Sequence, residues 1–221
     1  MFTKIDKNLD KVNQVKSLAF SIAHETRNPL AGIKGCCELM KNSLNELIEY
    51  IDLIYDSSSQ GLAIIDMILN NIKDGNIDKS NFIDLSISDA IKKAIKQYAY
   101  KNKDEKGLVS FDLNDDFIFK GDENMMIFVI FNLLKNSLYY KSKIEIRTQT
   151  KSDGNYLYFK DYGPGIEKDK LSLIFESFFT SGKKDGTGLG LPFCKRVMES
   201  FGGDIVCESE LGEGVEFEIR F

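Results

Sequence analysis

VNQVKSLAFSIAHETRNPLAGIKGCCELM, residues 12–40, decides the fold of the N-terminal part of the chain. Apolar or small residues recur in it at alternating steps of three and four: Val12, Val15, Ala19, Ile22, Thr26, Pro29, Ile33, Cys36 and Met40. A heptad seam of this kind predicts a long helix that packs along one stripe against another helix.

A second seam follows the break at KNSLNE, residues 41–46, and has the same spacing: Leu47, Ile51, Ile54, Ser58, Gly61, Ile65, Ile68 and Ile72. Two long helices joined by a short turn form a hairpin. Both helices also carry apolar residues beside their seams, so a single hairpin would expose a wide apolar face. Two hairpins paired into a four-helix bundle bury that face, and we therefore expect a homodimer.

The heptad pattern stops after KDGNIDKSNF, residues 73–82, and we place the domain boundary near Ser80, giving domains 1–79 and 80–221. Alternating β-rich and helical runs then predict strands at 82–85, 108–113, 117–120, 143–150, 156–161, 204–209 and 215–221, and helices at 88–100, 123–139 and 189–201. Ser88 and Asp122 are the expected helix caps. A mixed sheet with helices on one face is an α+β two-layer sandwich.

Composition excludes several classes of function. The net charge of -5 gives no basic field for nucleic acid or an anionic membrane, and four cysteines with a single histidine suggest neither a zinc site nor a disulfide framework. No apolar run reaches the roughly 20 residues that span a bilayer, and the charged N-terminus does not resemble a signal peptide. We expect a cytoplasmic protein, or the cytoplasmic part of a membrane-anchored sensor.

His24 is the only histidine in the chain. A lone histidine is more often an ordinary surface or core residue than a catalyst. At about 100° per residue, however, His24 points away from the seam toward solvent, where an unprotonated imidazole can act as a nucleophile. Glu25 could accept the other ring proton, although it could also be an ordinary solvated glutamate. Pro29, a little more than one turn further on, interrupts the helical hydrogen bonds.

Two polar features of the second domain suggest phosphate and base recognition. Asn132 and Asn136 stand four residues apart on one helix face, either as polar residues near a helix end or as an oxygen anchor for Mg²⁺, which needs few protein ligands. DYGPGI, residues 161–166, is good turn chemistry by itself. Alternatively, Asp161 accepts a hydrogen bond from an adenine amine while Gly163 and Gly165 let the backbone approach the base.

The stretch FESFFTSGKKDGTGLGL, residues 175–191, runs from aromatic residues through a polar segment into glycines that open a predicted helix. Glycines at a helix start present free N–H groups and the positive end of the helix dipole to an anion. A GxGxG pattern alone is weak evidence, but it follows the asparagine pair and DxGxG in a fixed order.

HETRNPL, residues 24–30, resembles the phosphoacceptor box of two-component sensor histidine kinases, His-Glu-x-x-Asn/Thr-Pro-Leu. The resemblance implies that His24 is phosphorylated, that Glu25 is the general base, and that Asn28 orients water when the domain dephosphorylates a response regulator. Thr26 departs from the family, which usually has a large apolar residue there.

The order of the asparagine pair, DxGxG, aromatic residues and GTGLGL resembles the ATP-binding Bergerat domain of the GHKL superfamily, which includes histidine kinases, gyrase and MutL. The resemblance implies ATP and Mg²⁺ as cofactors, with Asn136 as the metal ligand and Asp161 as the adenine reader. It also implies the remaining nucleotide-binding residues: Asn132, Gly163 and Gly165, the lid anchors Phe175 and Phe178, and the triphosphate cradle Gly186, Thr187, Gly188, Leu189 and Gly190.

The chain departs from the superfamily pattern at two places. Tyr139 and Tyr140 replace the Lys or Arg and the Tyr that commonly follow the asparagine pair, so Lys183 or Lys184 is expected to supply the cation for phosphate. The late G-x-G-T becomes GEGV, residues 212–215, and loses a hydroxyl.

Three functions follow from the resemblance. The first is ATP-dependent autophosphorylation of His24 with transfer to an aspartate on a response regulator, and with regulator phosphatase activity. The others are a GHKL ATPase that drives conformational change and a non-catalytic dimeric scaffold. ATP-hydrolysing relatives carry a glutamate where this chain has Asn132, and an amide cannot take a proton from water, so transfer is favoured.

Overall fold

The computed structural model describes residues 26–27, 29–37, 39–40, 51, 54, 58, 61, 65, 77–100, 102–180 and 188–221. The chain divides into two compact units, Met1–Gly75 and Asn76–Phe221. Within the described residues, none of the helices combines the length and the apolar character that crossing a membrane requires.

The described residues of the first unit, 26–65, are helical. Pro29 is buried, and a Cβ added to Gly61 would lie 3.4 Å from Pro29 Cγ. Pro29 and Gly61 belong to the two predicted seams, which therefore approach each other here. Apolar residues of both stretches stay exposed in the single chain, among them Leu30 at 62% and Ile51 at 49%.

The described part of the second unit contains seven strands and five helices. Their order is β1 (Ile83–Ser86), α1 (Ile87–Gln97), α2 (Lys103–Gly107), β2 (Val109–Asp112), β3 (Ile118–Gly121), α3 (Glu123–Leu138), β4 (Ile144–Lys151), β5 (Gly154–Asp161), α4 (Lys168–Leu171), α5 (Gly190–Phe201), β6 (Asp204–Glu210) and β7 (Gly214–Arg220).

The strands form two sheets rather than the single mixed sheet that the sequence predicted. The larger sheet has the order β2-β4-β5-β7-β6, in which β2 and β4 are parallel and the other pairs antiparallel, while β1 and β3 form a separate antiparallel pair. Helix α3 packs between α1 and α5. Leu133 of α3 and Phe159 of β5 are fully buried. The predicted α+β class, with helices over a mixed sheet, is confirmed.

The helix caps correct one prediction. Ser86, not Ser88, caps α1, because its side chain accepts a hydrogen bond from the backbone N–H of Asp89 at 3.1 Å. Ser88 is instead buried in the first turn, where its N–H donates to Asp116. Asp122 caps α3 as predicted, accepting from the N–H of Met125 at 2.9 Å. A side-chain acceptor at these positions satisfies N–H groups that the helix leaves unpaired.

Strand register places Asp161 in the middle of the larger sheet. It is the last residue of β5 and pairs with Ile144 of β4 on one side and Val215 of β7 on the other. The side chains of Leu157, Phe159 and Asp161 alternate with those facing away, so all three point toward the helices. The carboxylate is thereby brought beneath the C-terminal part of α3.

Candidate functional site

A buried carboxylate forms one end of the site. Asp161 is 6% exposed; its Oδ2 accepts a hydrogen bond from Ser137 Oγ at 2.8 Å and its Oδ1 accepts one from the Gly163 N–H at 2.9 Å. A buried carboxylate requires such donors. Because a carboxylate offers about four lone-pair positions, it can still accept hydrogen bonds from a ligand.

The loop after Asp161 is pressed against the turn between β6 and β7. Ile166 N–H donates to Ser209 Oγ at 2.8 Å, and Gly212 N–H donates to the Pro164 carbonyl at 2.9 Å. Gly165 has φ +76°, and a Cβ there would overlap the backbone at Glu210. Only glycine combines this backbone conformation with so close an approach, so the loop has little freedom to move relative to the sheet.

The asparagine pair lies half-buried on α3. Asn132 Nδ2 donates to the Phe128 carbonyl at 2.9 Å, which commits the amide nitrogen to the helix backbone. Its Oδ1 lies so close to Gly190 that a Cβ on this glycine would overlap it. Gly190 therefore allows the start of α5 to approach α3. Asn136 lies one turn further along α3, next to Ser137.

The N-terminus of α5 lacks the side-chain cap that α1 and α3 have. Its cap residue, Leu189, makes no side-chain hydrogen bond, and the first turn contains no acidic residue. The leading N–H groups of Gly190 and Leu191 can therefore bind an anion. Pro192 has no N–H group to contribute.

The two ends of the segment before α5 are tied together. Phe178 N–H donates to the Gly188 carbonyl at 2.8 Å. Gly188 has φ +66°, and a Cβ there would overlap the Phe178 backbone, while Phe178 itself adopts φ +70°. Phe175 is half-buried, with the Lys195 ammonium 5.4 Å from its ring centroid. Phe178 thus meets Gly188 just before α5, and Phe175 lies near Lys195 of α5.

Helix α3 connects the two ends of the site. Asn132, which meets α5, and Ser137, which holds Asp161, are five residues apart, or about 7.5 Å along the helix. The arrangement offers acceptors for a base at one end and N–H groups for phosphates at the other, which fits an adenine nucleotide. His24, Glu25, Asn28, Lys183, Lys184, Gly186 and Thr187 lie outside the described residues.

Serine side chains are the site residues that the sequence did not reveal. Ser137 holds Asp161, and Ser209 holds the loop after it. A weak signal existed for Ser137, which stands in the buried stripe of α3 with Ile130, Leu133 and Leu134. A polar residue in such a stripe needs a partner.

Two protein-family models match the chain. The model described as His Kinase A (phospho-acceptor) domain matches residues 15–71. The model described as Histidine kinase-, DNA gyrase B-, and HSP90-like ATPase matches residues 121–221.

Curated relatives match this chain along nearly its whole length. The autoinducer 1 sensor kinase/phosphatase LuxN of Vibrio campbellii is 36% identical over 100% of this chain and 28% of its own length. The CAI-1 autoinducer sensor kinase/phosphatase CqsS of Vibrio cholerae is 32% identical over 96% of this chain and 34% of its own length. The chain therefore spans about a third or less of these two relatives.

Solved structures share the fold. The catalytic domain of histidine kinase ThkA is 26% identical, with a TM-score of 0.54 over 64% of this chain and 95% of that one. Full-length ShkA in complex with AMPPNP is 21% identical, with a TM-score of 0.59 over 93% of this chain and 45% of that one. The predicted family, fold class and enzyme class are confirmed by these matches. The chain belongs to the two-component sensor histidine kinases and represents their catalytic core.

Proposed function

We propose that this chain phosphorylates His24 with ATP and passes the phosphoryl group to an aspartate on a response-regulator receiver domain. The observation that carries the proposal is the buried Asp161 carboxylate at one end of α3 and the uncapped N-terminus of α5 at the other. This pairing supports nucleotide binding in residues 80–221, while residues 1–79 supply the histidine.

In the proposed complex, Asp161 accepts a hydrogen bond from the adenine amine, and Gly163 and Gly165 allow the backbone to approach the base. The phosphates bind the cradle formed by Gly186, Thr187, Gly188, Leu189 and Gly190. Lys183 or Lys184 supplies a cation, and Phe175 and Phe178 anchor the covering segment. Asn136 Oδ1 is the protein ligand for Mg²⁺, which neutralises charge on the phosphates.

The proposed transfer step uses His24 as nucleophile. An unprotonated ring nitrogen attacks the γ-phosphorus, forming an N–P bond as the bond to the bridging β–γ oxygen breaks and ADP leaves. Glu25 accepts a hydrogen bond from the other ring N–H and stabilises the positive charge that develops on the ring. A linker near Ser80 lets the nucleotide domain bring the two groups into line.

Asn132 supports transfer over hydrolysis. Its amide nitrogen already donates to the helix backbone, and an amide has no basic site at neutral pH that could take a proton from water. A conformational ATPase would need such a base. A non-catalytic scaffold would not need the close approach of Gly190 to Asn132 or an α5 N-terminus that is left uncapped.

The proposed assembly is a homodimer of the helical hairpin that binds a receiver domain in the cytoplasm. Its exposed apolar residues, such as Leu30 and Ile51, support self-association. Asn28 is proposed to orient water for dephosphorylation of the regulator, and the names of the relatives LuxN and CqsS include the word phosphatase. Asn28→Ala should then slow dephosphorylation of a phosphorylated regulator and spare autophosphorylation, and equal loss of both would contradict this role.

Incubation with γ-labelled ATP and Mg²⁺ tests the proposal. The wild-type protein should acquire label that is lost in acid and stable in alkali, as expected for a phosphoramidate. His24→Gln should acquire none while binding ATP normally. Label that persists in His24→Gln would contradict the proposed acceptor.

A further inference from the structure

Ser137 is a polar residue in an apolar environment. It is 1% exposed, and the stripe of α3 on which it stands includes Ile130, Leu133 and Leu134, all fully buried. A hydroxyl in such a place destabilises the fold unless it is hydrogen-bonded. Ser137 directs its proton at Asp161 Oδ2, 2.8 Å away. If position 137 served only apolar packing, alanine would fill it as well as serine does.

The Ser137 hydroxyl donates to Asp161 from α3, while the paired strands contribute no side-chain donor. Across the sheet, Asp161 pairs with Ile144 and Val215, whose side chains carry no donor. The Gly163 N–H holds Oδ1, so the Ser137 hydroxyl and the loop backbone hold one oxygen each. Burial, together with the charges of Asp161 and Glu208, raises the pKa of Cys207 to about 12, so this nearby thiol stays neutral.

We propose that Ser137 is a positioning residue that fixes the orientation of the Asp161 carboxylate and thereby sets the preference for a 6-amino purine over a 6-keto purine. The inference rests on the proposed function, in which Asp161 reads the base. Carboxyl torsions are broad, so a carboxylate held at one oxygen can turn. A carboxylate that accepts a hydrogen bond at each of its two oxygens presents its free lone pairs in a fixed direction. An amino group gains a hydrogen bond there, whereas a carbonyl oxygen meets another acceptor.

Calorimetric titration of the full chain with ATP and with ITP tests the inference. Ser137→Ala should weaken ATP binding about tenfold and leave ITP binding within about twofold, so that the discrimination ratio falls about tenfold. Alanine is a better helix former than serine, which favours retention of the fold. The unchanged ITP affinity checks in the same assay that the site is intact.

Two further variants separate positioning from packing. Ser142→Ala is the matched control, because Ser142 Oγ donates at 3.2 Å to the Ser137 carbonyl and not to Asp161, and it should keep the wild-type ratio. Val215→Thr is isosteric and places a hydroxyl on the strand opposite Asp161, where directly paired Cβ atoms lie about 5 Å apart. Added to Ser137→Ala, it should restore the preference for ATP.

The outcomes are distinct. If wild type binds ATP and Ser137→Ala keeps the same ratio, or if Ser142→Ala lowers the ratio equally, the inference is overturned and the proposed function stands. A wild-type chain that binds neither nucleotide overturns both. If Ser137→Ala binds neither, the double variant with Val215→Thr decides: a restored preference for ATP supports the inference, and its absence overturns it.

Discussion

The proposed recognition of adenine depends on the charge and the position of the Asp161 carboxylate. This carboxylate is buried, and both of its oxygens are held by donors. Asp161→Asn removes the charge and turns one acceptor into a donor, which would face Ser137 or Gly163. We therefore predict that ATP affinity falls about 100-fold, measured by calorimetry.

The matched control for this substitution is Asp169→Asn, an exposed aspartate in the first turn of α4. It should bind ATP as the wild type does. Asp161→Asn with unchanged ATP affinity and an unchanged melting temperature would show that the carboxylate does not read the base.

Gly190 offers a steric prediction at the start of α5. A Cβ at this position would overlap Asn132 Oδ1, so Gly190→Ala must push α5 away from α3 or turn the amide. We expect a loss of about 1–3 kcal/mol in the free energy of unfolding together with weaker ATP binding, measured by urea titration and calorimetry. Gly107→Ala is the control, since nothing lies within 4 Å of its Cβ position. Equal behaviour of the two variants would disprove the close contact.

At the residue scale, the sequence indicates candidate site residues where a residue type is unusual in its local pattern. Asp161 at a strand end and Asn132 in an apolar helix are visible in this way. Ser137 is not, because its partner is 24 positions away and a serine tolerates many environments. The prediction of Ser88 as the cap of α1 is wrong for a related reason: the Ser88 N–H donates to Asp116, which is distant in sequence, and Ser86 is the cap.

At the level of a single element, Asp116 stabilises the start of α1 by accepting hydrogen bonds from Ser86 and Ser88. Partial burial acts to raise the pKa of Asp116, but hydrogen bonds from the Ser88 N–H and the Ser86 and Ser88 hydroxyls outweigh it and hold the pKa below its ordinary value. A folded-state pKa below the unfolded one stabilises the fold above the unfolded pKa of about 3.9, and this stability is lost as pH falls through the folded value.

We therefore predict that Asp116→Asn lowers the free energy of unfolding by about 0.5 kcal/mol at pH 7, a small effect because most of the carboxylate is accessible to solvent. Below about pH 4 the difference from wild type should shrink. Urea unfolding at a series of pH values measures both, with Asp104→Asn, exposed in α2, as control. A difference that stays constant down to pH 2 would contradict the assigned linkage.

Most of the described helices and strands could be predicted from the sequence. In the part of residues 77–221 that the structure describes, all seven strands and three of the five helices lie where alternation and helical periodicity predicted them. Helices α2 and α4 were missed because five and four residues are too few to show a period. The separation of β1 and β3 from the larger sheet could not be read either, since their pairing joins residues more than 30 positions apart, Leu85 with Phe119.

At the scale of the whole molecule, the two units should differ in their assembly. The helical unit exposes apolar side chains such as Leu39 and Ile65, at 52% and 42%. Burying such side chains drives association. Sedimentation equilibrium should therefore find the full chain dimeric and residues 76–221 monomeric. A monomeric full chain at micromolar concentration would contradict the proposed bundle.

The sequence period predicts that the chain has two domains, but not the residue at which the first one ends. The change from heptads to alternating strands marked two domains, while the structure divides the chain after Gly75. The exact end of a domain depends on which residues pack, as Ile77 does at 7% exposure. A sequence period cannot reveal that contact.

We expect a nucleotide held by the second domain to deliver its terminal phosphoryl group to His24. Peptide mapping by mass spectrometry at neutral to alkaline pH, after incubation of the full chain with ATP and Mg²⁺, tests it most directly. We expect one phosphoryl group, on the imidazole of His24, and much less of it when Asp161→Asn replaces the wild type at an ATP concentration that does not saturate the variant. A phosphoryl group on any other residue, or none under conditions where ATP is bound, would contradict it.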